Sequence, residues 1–428
     1  MHRFRTVIAA LTLGAPLAAS AADITRIASS FEDDDPFDLF LDVGFERTQT
    51  RAKIVREQLP SGGSGGELKE VNELWYKGVD ARLNLALAFG LWKDLEFSFK
   101  LPIVFQQNES WEFVSGVGQS NSTIVNSCFN ADGSPYSSEG CVGRLFSMPQ
   151  ESYRGGLGNI HFGLAYAFFN QEKDSTKPTW IVGIDYEAPT AKLRDPSVDT
   201  TDPDGERGNV GDRVHKYQLY TSFSRRMGAA DPYFKAYHTI PVRGPKAYSN
   251  CDQAGTNPSN LGAPGNCFTG PWNRKETGIQ APSQTGILFG VELVPFESAA
   301  KAQKFTVDAR LIGNYVGRGR YYNELSSALR KLLTSDDYLQ VGGQFGVTAR
   351  AAEAFTIRAS GNFLYNTDHL LTSETIGQDL DGNGTVDTNP GSPELNPTFD
   401  WRYDLASRRF RAIQSTTFRF DLGASFAF

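Results

Sequence analysis

Apolar and polar residues alternate along most of the chain, in segments of about ten residues or more. Residues 79–89, VDARLNLALAF, carry valine, alanine, leucine and phenylalanine at the odd positions, and aspartate, arginine and asparagine among the even ones. Residues 95–105, LEFSFKLPIVF, repeat the pattern with glutamate, serine and lysine on the second face. A period of two predicts β-strands whose two faces meet different surroundings.

The alternation predicts twelve strands and an all-β fold. These segments are longer than the strands of soluble β-sandwiches, which usually have about 5–6 residues and bury their apolar face against a second sheet. Their second face carries charged residues on almost every strand, as a membrane barrel allows. A soluble β-sandwich or propeller is the alternative. The predicted strands lie near 37–50, 74–89, 94–107, 157–169, 179–189, 213–226, 232–243, 284–296, 303–317, 338–350, 354–367 and 411–428.

Short and long connections alternate between these strands. The short ones, such as GLWKD and MGAAD, are tight turns, and the long ones are rich in Gly, Asn, Ser, Asp and Pro. An even number of strands with short turns at one end and long loops at the other is typical of bacterial outer-membrane barrels. We therefore predict a single antiparallel transmembrane β-barrel over residues 37–428, with both termini and the short turns in the periplasm. The predicted extracellular loops span 51–73, 108–156, 190–212, 244–283, 318–337 and 368–410.

The N-terminal residues indicate export. Residues 1–21 have a basic start, an apolar run and small residues at Ala19 and Ala21, which predict a signal peptide cleaved before Ala22. No later apolar run reaches the roughly 18 residues that a membrane helix needs. Residues 22–36 precede the first strand, and two interpretations stay open: a periplasmic plug that folds back into the barrel, or a disordered tail.

The last residues, TTFRFDLGASFAF, alternate strictly and end on Phe428. This strand resembles the assembly signature of bacterial outer-membrane proteins, which implies contact with the barrel-assembly machinery. Lipids of the Gram-negative outer membrane are the expected partners of its apolar face. We therefore predict that the apolar face of this strand contacts lipid.

Composition refines the picture in two ways. The chain has 42 glycines and 30 phenylalanines but 3 methionines, a profile that favours sheet with many turns, and its net charge of -7 argues against a nucleic-acid partner. Its four cysteines form two pairs in polar loops, so two local disulfides are favoured among three connectivities. A zinc site is disfavoured because there is no Cys-x-x-Cys. The predicted disulfide residues are Cys128, Cys141, Cys251 and Cys267.

The faces predicted to point inward carry acids and bases in mixture. One interpretation is that these groups pair across neighbouring strands and fill a narrow interior. The other is that some of them line a constriction and select permeants by charge. The predicted lumen residues are Asp42, Glu46, Asp80, Arg82, Glu96, Lys100, Asp185, Glu187, Glu292, Asp308, Arg310, Arg358, Arg419 and Asp421.

The segment DLDGNGTVD, residues 379–387, resembles a calcium loop of the EF-hand type. Its twelfth position holds Pro390 where an EF-hand has a bidentate glutamate, so Glu394 or water has to complete the shell of oxygen ligands. A plain Asx-rich turn is the alternative. The predicted ligands of Ca²⁺ are Asp379, Asp381, Asn383, Thr385 through its carbonyl, and Asp387.

Residues 155–243 resemble a known family. They contain GGLGN at the start of one strand, YEAPTAK at the end of the next, and the later hairpin YTSFSRRMGAADPYFKAYHTIPV. These features are similar to the outer-membrane family described as the putative MetA pathway of phenol degradation, although Asn159 stands where that family has Asp and Ala191 where it has Gly. The resemblance implies a channel-like barrel that passes small, often aromatic or hydrophobic compounds. It implies no catalytic residues.

Three function classes follow from these observations. A passive channel for small, hydrophobic or aromatic solutes through a narrow charged lumen is the prediction. The alternative is a structural or surface-interaction protein that acts through disulfide- and calcium-stabilised outer loops. An outer-membrane hydrolase is disfavoured, because His161, His215 and His238 have no serine motif around them, so no enzymatic activity is predicted.

Overall fold

The computed structural model describes residues 22–31, 37–58, 68–126, 144–253, 263–389 and 391–428. Antiparallel strands dominate these ranges. The strands are β1 (Leu39–Gln58), β2 (Lys69–Trp92), β3 (Leu95–Phe113), β4 (Gln150–Leu157), β5 (Ile160–Phe169), β6 (Thr179–Ala188), β7 (Val214–Ser224), β8 (Ala230–Arg243), β9 (Gln284–Ser298), β10 (Gln303–Val316), β11 (Gly319–Tyr321), β12 (Leu333–Ser335), β13 (Tyr338–Ala352), β14 (Phe355–Asn366), β15 (His369–Leu370) and β16 (Phe410–Ala427).

Twelve of these strands close into one barrel. The hydrogen-bonded order is β1, β2, β3, β5, β6, β7, β8, β9, β10, β13, β14 and β16, and β16 pairs back with β1. The others are short: β4 pairs with β3, β15 pairs with β16, and β11 pairs with β12 outside the barrel. The predicted all-β, twelve-stranded antiparallel barrel is confirmed.

The barrel is closed at its seam by pairing of β1 with β16. The backbone N–H of Leu39 donates to the carbonyl of Phe428 at 3.1 Å, and the N–H of Phe428 donates to the carbonyl of Leu39 at 2.9 Å. Closure removes the free edges that an open sheet would expose. These two residues therefore complete the hydrogen-bonded wall at the short-turn end.

Helical structure is confined to single turns in the described ranges. The α-helices are α1 (Arg274–Thr277) and α2 (Ser326–Leu329), and 3-10 turns occupy Asp23–Thr25, Asn250–Gln253, Pro264–Asn266 and Ala299–Lys301. Within the part of the chain that the structure describes, no helix is long and apolar enough to cross a membrane.

The two faces of the barrel wall differ sharply. Large apolar side chains cover the outside, and several of them are more than half exposed, as is Leu311 at 69%. An apolar exterior around a polar interior is the architecture of outer-membrane barrels. The outward side chains include Phe45, Leu164, Phe289, Leu311, Phe345, Phe363, Phe418 and Phe420.

Several strands continue past the ends that the alternation predicts. β1, β2 and β3 have 20, 24 and 19 residues, whereas about 9–11 residues cross a bilayer. Pairing therefore continues from the barrel into the predicted loops 51–73 and 108–156. The extra pairing persists because these strand ends also carry buried apolar side chains, such as Ile54 and Trp111, which are fully shielded.

The long loops fold together into a cap over one end of the barrel. Its larger apolar core joins the extended strand ends to the loops, and a smaller core joins the loop before β9 to the loop after β10. We call this assembly the outer cap, because the sequence predicts that its loops are extracellular. Its apolar residues include Ile54, Leu74, Tyr76, Trp111, Ile124, Phe146, Leu325, Leu329, Leu371, Tyr403 and Phe410 in the larger core, and Val214, Tyr248, Ile279 and Leu332 in the smaller.

The segment NELSSALRKLL forms one helical turn where its spacing predicts a longer helix. α2 covers Ser326–Leu329 and ends where Arg330 adopts a left-handed backbone with φ 57°. The side-chain oxygen of Asn323 accepts the N–H of Leu325 at 3.0 Å. The helix stops because Leu333 enters β12, so packing in the outer cap overrides the local helical pattern.

Candidate functional site

The lumen of the barrel contains every charged residue that the alternation places inward. Residues that lie opposite each other on antiparallel strands point to the same face. The register therefore groups Asp42 with Ala86 and Lys100, and it groups Asp185 with Gly163. The same reasoning places all fourteen predicted lumen residues on the inner face.

Most of these charges are paired. Ion pairs form within a strand, as between Arg310 and Asp308 at 2.6 Å, and between strands, as between Arg358 and Asp42 at 3.0 Å. Mixed charges that neutralise one another allow a narrow interior to remain polar without a large net field. The other lumen pairs are Arg82 with Asp80 and Glu46, Arg419 with Asp421, and Lys216 with Glu187.

Tyrosines fill part of the interior by lying over glycines of the next strand. Tyr220 faces Gly183 and Tyr237 faces Gly286 in the β-sheet register. A Cβ atom built on Gly286 would lie 2.2 Å from the Tyr237 ring, so only glycine admits this close approach. Pattern analysis missed these tyrosines because the glycine partner becomes visible only when the strand register is known.

The N-terminal residues 22–31 cross the lumen near the short-turn end. Arg26 reaches the hydroxyl of Ser425 on β16 at 3.5 Å, whereas the neighbouring Thr25 contacts the hydroxyl of Ser224 on β7 at 2.6 Å. β16 and β7 lie on opposite sides of the closed strand order. Residues 22–31 therefore span the barrel interior, and we call them the N-terminal crosspiece.

Carboxylates of the wall hold the crosspiece by its backbone. The N–H of Asp23 donates to Glu292 at 2.8 Å, and the N–H of Ala28 donates to Glu96 at 2.7 Å. Hydrogen bonds to an ionised acceptor are stronger than those between neutral groups. Two of the predicted lumen acids thus bind the chain's own N-terminal segment.

Three cavities follow one another along the barrel axis. A cavity of about 800 Å³ opens at the short-turn end and is bordered by Thr25 and Arg26 of the crosspiece. Beyond the crosspiece, a cavity of about 360 Å³ is bordered by Asp23 and shares Asp42 and Ala86 with a third cavity of about 590 Å³. The crosspiece therefore separates the short-turn end from the inner lumen.

The cavity of about 590 Å³ lies directly beneath the outer cap, because Pro282 and Tyr321 of the long loops border it. Lys100, His161 and Asp185 also line it. Within the described residues, these three side chains form no ion pair or side-chain hydrogen bond, in contrast to the paired charges elsewhere in the lumen. We take them as candidate contacts for a solute.

A polar network fixes the outer cap above this cavity. Arg194 donates to Glu109 at 3.1 Å and to Ser327 at 2.7 Å, and Arg320 pairs with Glu374 at 2.6 Å. Burial opposes the charge of Glu374, but Arg320 outweighs it and holds the pKa of Glu374 at about 2. These contacts join loops that are far apart in sequence.

A second acid in the outer cap has the opposite shift. Burial raises the pKa of the Asp404 carboxyl to about 7, although Lys331 opposes the shift and Glu374 adds to it. Its oxygen accepts the N–H of Asp400 at 2.9 Å. The outer cap therefore contains one acid held ionised and one that is about half protonated near neutrality.

The predicted calcium loop brings part of its ligand set together. The carboxylates of Asp379, Asp381 and Glu394 each offer an oxygen, and these oxygens lie within 4.8 Å of one another. Asn383 donates to Asp381 at 2.9 Å and accepts the hydroxyl of Thr385 at 2.7 Å. The Glu394 carboxylate therefore lies beside two of the predicted ligands.

Asp387 is placed differently from those three acids. Its carboxylate accepts the N–H of Asn389 at 3.0 Å, and its own N–H donates to Glu394 at 2.5 Å. The carboxylate is outside the converging group of oxygens. Oxygen ligands of this kind are the ones that calcium prefers. The Asp387 side chain would have to rotate towards the other three carboxylates to bind the same ion.

The remaining predicted sites are distributed over the outer loops and the wall. Cys251 and Cys267 form a disulfide with a Cα–Cα distance of 5.5 Å, whereas Cys128 and Cys141 lie outside the described residues. His215 hydrogen-bonds Tyr186 at 2.7 Å on the outer face of the wall. Predicted signal residues 1–21 also lie outside the described ranges.

Sequence reasoning missed Lys216, which joins the wall to the outer cap. Its ammonium lies 3.0 Å from Glu187 and 2.9 Å from Asp212. Tyr321 of the cap donates to the same Asp212 at 2.5 Å. The only signal in the sequence is the acid four residues before this lysine. Outside a helix, that spacing does not by itself predict a contact between the two side chains.

Comparisons with known proteins place the chain in no family. No family model and no curated protein matches it. Three of the solved structures that resemble it are an outer membrane channel from Pseudomonas putida F1, a FadL homologue from Pseudomonas aeruginosa and the outer membrane protease OmpT from Escherichia coli. The resemblance to the phenol-degradation family therefore stays a prediction.

The similarity to these three structures is low. Identities are 10%, 10% and 9%, and TM-scores are 0.43, 0.37 and 0.30. The alignments cover 91%, 91% and 94% of this chain and 95%, 90% and 100% of the other chains. Scores of this size assign no function, so the chain's own geometry has to support the functional interpretation.

Proposed function

We propose that this protein is an outer-membrane channel for small solutes whose path is the polar lumen. The observation that carries the proposal is the row of cavities along the barrel axis, interrupted only by the crosspiece before it reaches the outer cap. An internal cavity of about 590 Å³, whose lining includes charged side chains without an ion-pair partner among the described residues, favours a channel over a purely structural role. In this proposal, the crosspiece and the outer cap close the path.

The chemistry of the inner cavity favours solutes that carry a polar group. Its volume of about 590 Å³ falls in the range of small-molecule sites. Lys100 offers an ammonium to an anionic group, and the Tyr321 ring borders the same space. Small aromatic acids have an anionic group for the ammonium and a ring for the aromatic wall. We therefore propose them as solutes, in agreement with the aromatic compounds expected from the sequence.

Solute flux through purified protein in liposomes tests the proposal. We expect aromatic acids to pass faster than sugars and amino acids of similar size, and Lys100→Gln to lower that flux about threefold or more by removing the cationic contact. Lys275→Gln, an exposed change in α1, is the matched control. Flux no greater than that of empty liposomes, from protein shown to be folded, would contradict the channel.

We also propose that residues 379–394 bind a structural calcium ion in the outer loops. The converging oxygens of Asp379, Asp381 and Glu394 support this assignment. Ca²⁺ would tie the loop before Glu394 to the rest of the outer cap, whose Asn266 side chain donates to the carbonyl of Leu395 at 2.8 Å. The ion would act on the stability of the loops and would take no part in selecting solutes.

A surface-interaction role is the second candidate function. The observation that favours it is a cleft of about 750 Å³ on the outer cap, bordered by Glu112, Asp199, Arg330 and Arg402. Binding of cells or extracted surface proteins to the folded protein, abolished by Arg330→Glu and unaffected by Lys100→Gln, would favour this role over the channel.

A further inference from the structure

A buried carboxylate in the wall lacks the partner that its position demands. Asp231 is on β8, two residues before the inward-facing Tyr233, and is 2% exposed. Neither of its carboxylate oxygens accepts a hydrogen bond of normal geometry from the described residues. An ionised group withdrawn from water and left without a counter-charge costs several kcal/mol.

The neighbouring strands increase this negative charge. Asp231 is directly opposite Glu292 on β9, and Glu292 is directly opposite Asp308 on β10. Lys304 and Arg226 act on Asp231 through space, but within the described residues neither donates a hydrogen bond to its carboxylate. Like charges opposite each other on adjacent strands destabilise a sheet, so a cation in direct contact with Asp231 would stabilise this row.

The first residue of the crosspiece lies at this row. Ala22 is fully buried, and its backbone nitrogen approaches the Asp231 carboxylate. The next nitrogen, that of Asp23, donates to Glu292 at 2.8 Å. Two consecutive main-chain nitrogens are therefore directed at two adjacent carboxylates.

We propose that the α-ammonium group of Ala22, released by signal-peptide cleavage, is the counter-ion of Asp231 and anchors the crosspiece inside the barrel. Hydrolysis of the Ala21–Ala22 peptide bond consumes one water, leaves a carboxylate on Ala21 and gives Ala22 a charged amine. An amide nitrogen has one N–H of fixed direction, whereas an ammonium has three donors that rotate. The processed nitrogen thus supplies both the charge and the geometry that Asp231 lacks.

The proposal gives signal-peptide removal a structural consequence. In the precursor, the Ala22 nitrogen is a neutral amide and leaves the acidic row with one positive charge fewer. Cleavage supplies that charge at the place where the crosspiece meets β8 and β9. The crosspiece then joins the barrel wall by an ion pair that only the mature chain possesses.

Two measurements on protein extracted from outer membranes test this assignment. The intact mass should correspond to a chain that begins at Ala22, and a different first residue would overturn the proposal. An amine-reactive reagent at neutral pH should then modify the α-amine of the folded protein at least about tenfold more slowly than that of the unfolded chain, because burial and ion pairing protect it.

Variants separate the ion pair from simple burial. Asp231→Asn should increase the labelling rate of the folded protein at least about tenfold, while Asp231→Glu should retain most of the protection. Asp174→Asn, in a short turn where the side chain is 43% exposed, is the control. Folding of each variant is checked by its resistance to SDS before heating. Equal labelling rates for folded wild type and folded Asp231→Asn would overturn the proposal.

Discussion

The two ends of the barrel are closed by different physical means. At the short-turn end, the crosspiece is held by hydrogen bonds to carboxylates such as Glu96 and Glu292, and Ile27 is the residue that packs against an apolar cluster. At the other end, apolar cores and buried ion pairs join the loops into the outer cap. A closure built on polar contacts exchanges them for water at low cost, whereas an apolar core does not. Of the two closures, the crosspiece is therefore the one whose contacts water can replace once its anchor at Ala22 is released.

Deleting residues 22–31 should have the largest effect. The deletion joins the cavities of about 800 and 360 Å³ that the crosspiece separates, so we expect single-channel conductance in planar bilayers to rise about tenfold or more. Arg26→Ala, which removes one contact to Asp42, should give a smaller increase. Unchanged conductance in a folded deletion variant would show that the outer cap alone closes the channel.

The opposite end should respond as a packed core does. Trp111 is fully buried in the outer cap and donates from Nε1 to the carbonyl of Glu324 at 2.8 Å. Trp111→Ala should lower the free energy of cap opening by about 3–5 kcal/mol. Hydrogen exchange of the loop amides measures this change, and Trp92→Ala, at a residue 54% exposed, is the control. Equal effects of the two variants would contradict the assignment of Trp111 to a cap core.

The sequence predicts the barrel wall better than it predicts either closure. Alternation is imposed residue by residue by lipid on one side and polar surroundings on the other, so Phe418 and Arg419 reveal their faces without knowledge of any partner. The crosspiece has no such periodicity, and its position depends on Glu96, Glu292 and Ser425, which are distant in sequence. Its placement therefore needs the three-dimensional register.

The outer cap illustrates the same limit from the apolar side. Leu325 and Leu329 are recognisable as buried residues from their spacing, and both lie in the larger cap core. The length of the helix that carries them is set by Leu333 in β12, a tertiary effect. Local pattern thus identifies which side chains are buried but not the backbone that carries them.

Acidity should affect the outer cap in two directions. Asp404 has a pKa of about 7 in the folded cap against an ordinary value of 3.8, so the closed cap loses stability as the pH rises from about 4 to 7. Glu374 has a pKa of about 2 against 4.5, so stability is lost as the pH falls from about 4.5 to 2. The closed cap should therefore be most stable near pH 4–5.

Protease resistance of the loops across this range measures the effect. Asp404→Asn should remove the loss above pH 4, which amounts to at most about 4 kcal/mol, and leave the loss below pH 4.5. Lys331 and Asp400 face Asp404 in the same network; burial lowers the pKa of Lys331, and contact with Arg402 lowers the pKa of Asp400 despite its burial. A loss above pH 4 that persists in Asp404→Asn would assign the titration to another group.

Calcium should have the smallest effect and should be confined to the outer end. Asp381→Ala removes one of the three converging carboxylates, and Ca²⁺ takes six to eight oxygen ligands, so the loss of this charged ligand should weaken binding strongly. We expect the wild type to gain about 1–2 kcal/mol of loop stability in saturating calcium and the variant to gain none. Asp202→Ala, in a loop with an isolated Asp-rich sequence, is the control.

Calcium should leave the conductance of the channel unchanged, because the ion acts on the end that is closed by apolar cores. A calcium-dependent conductance would mean that the outer cap also moves.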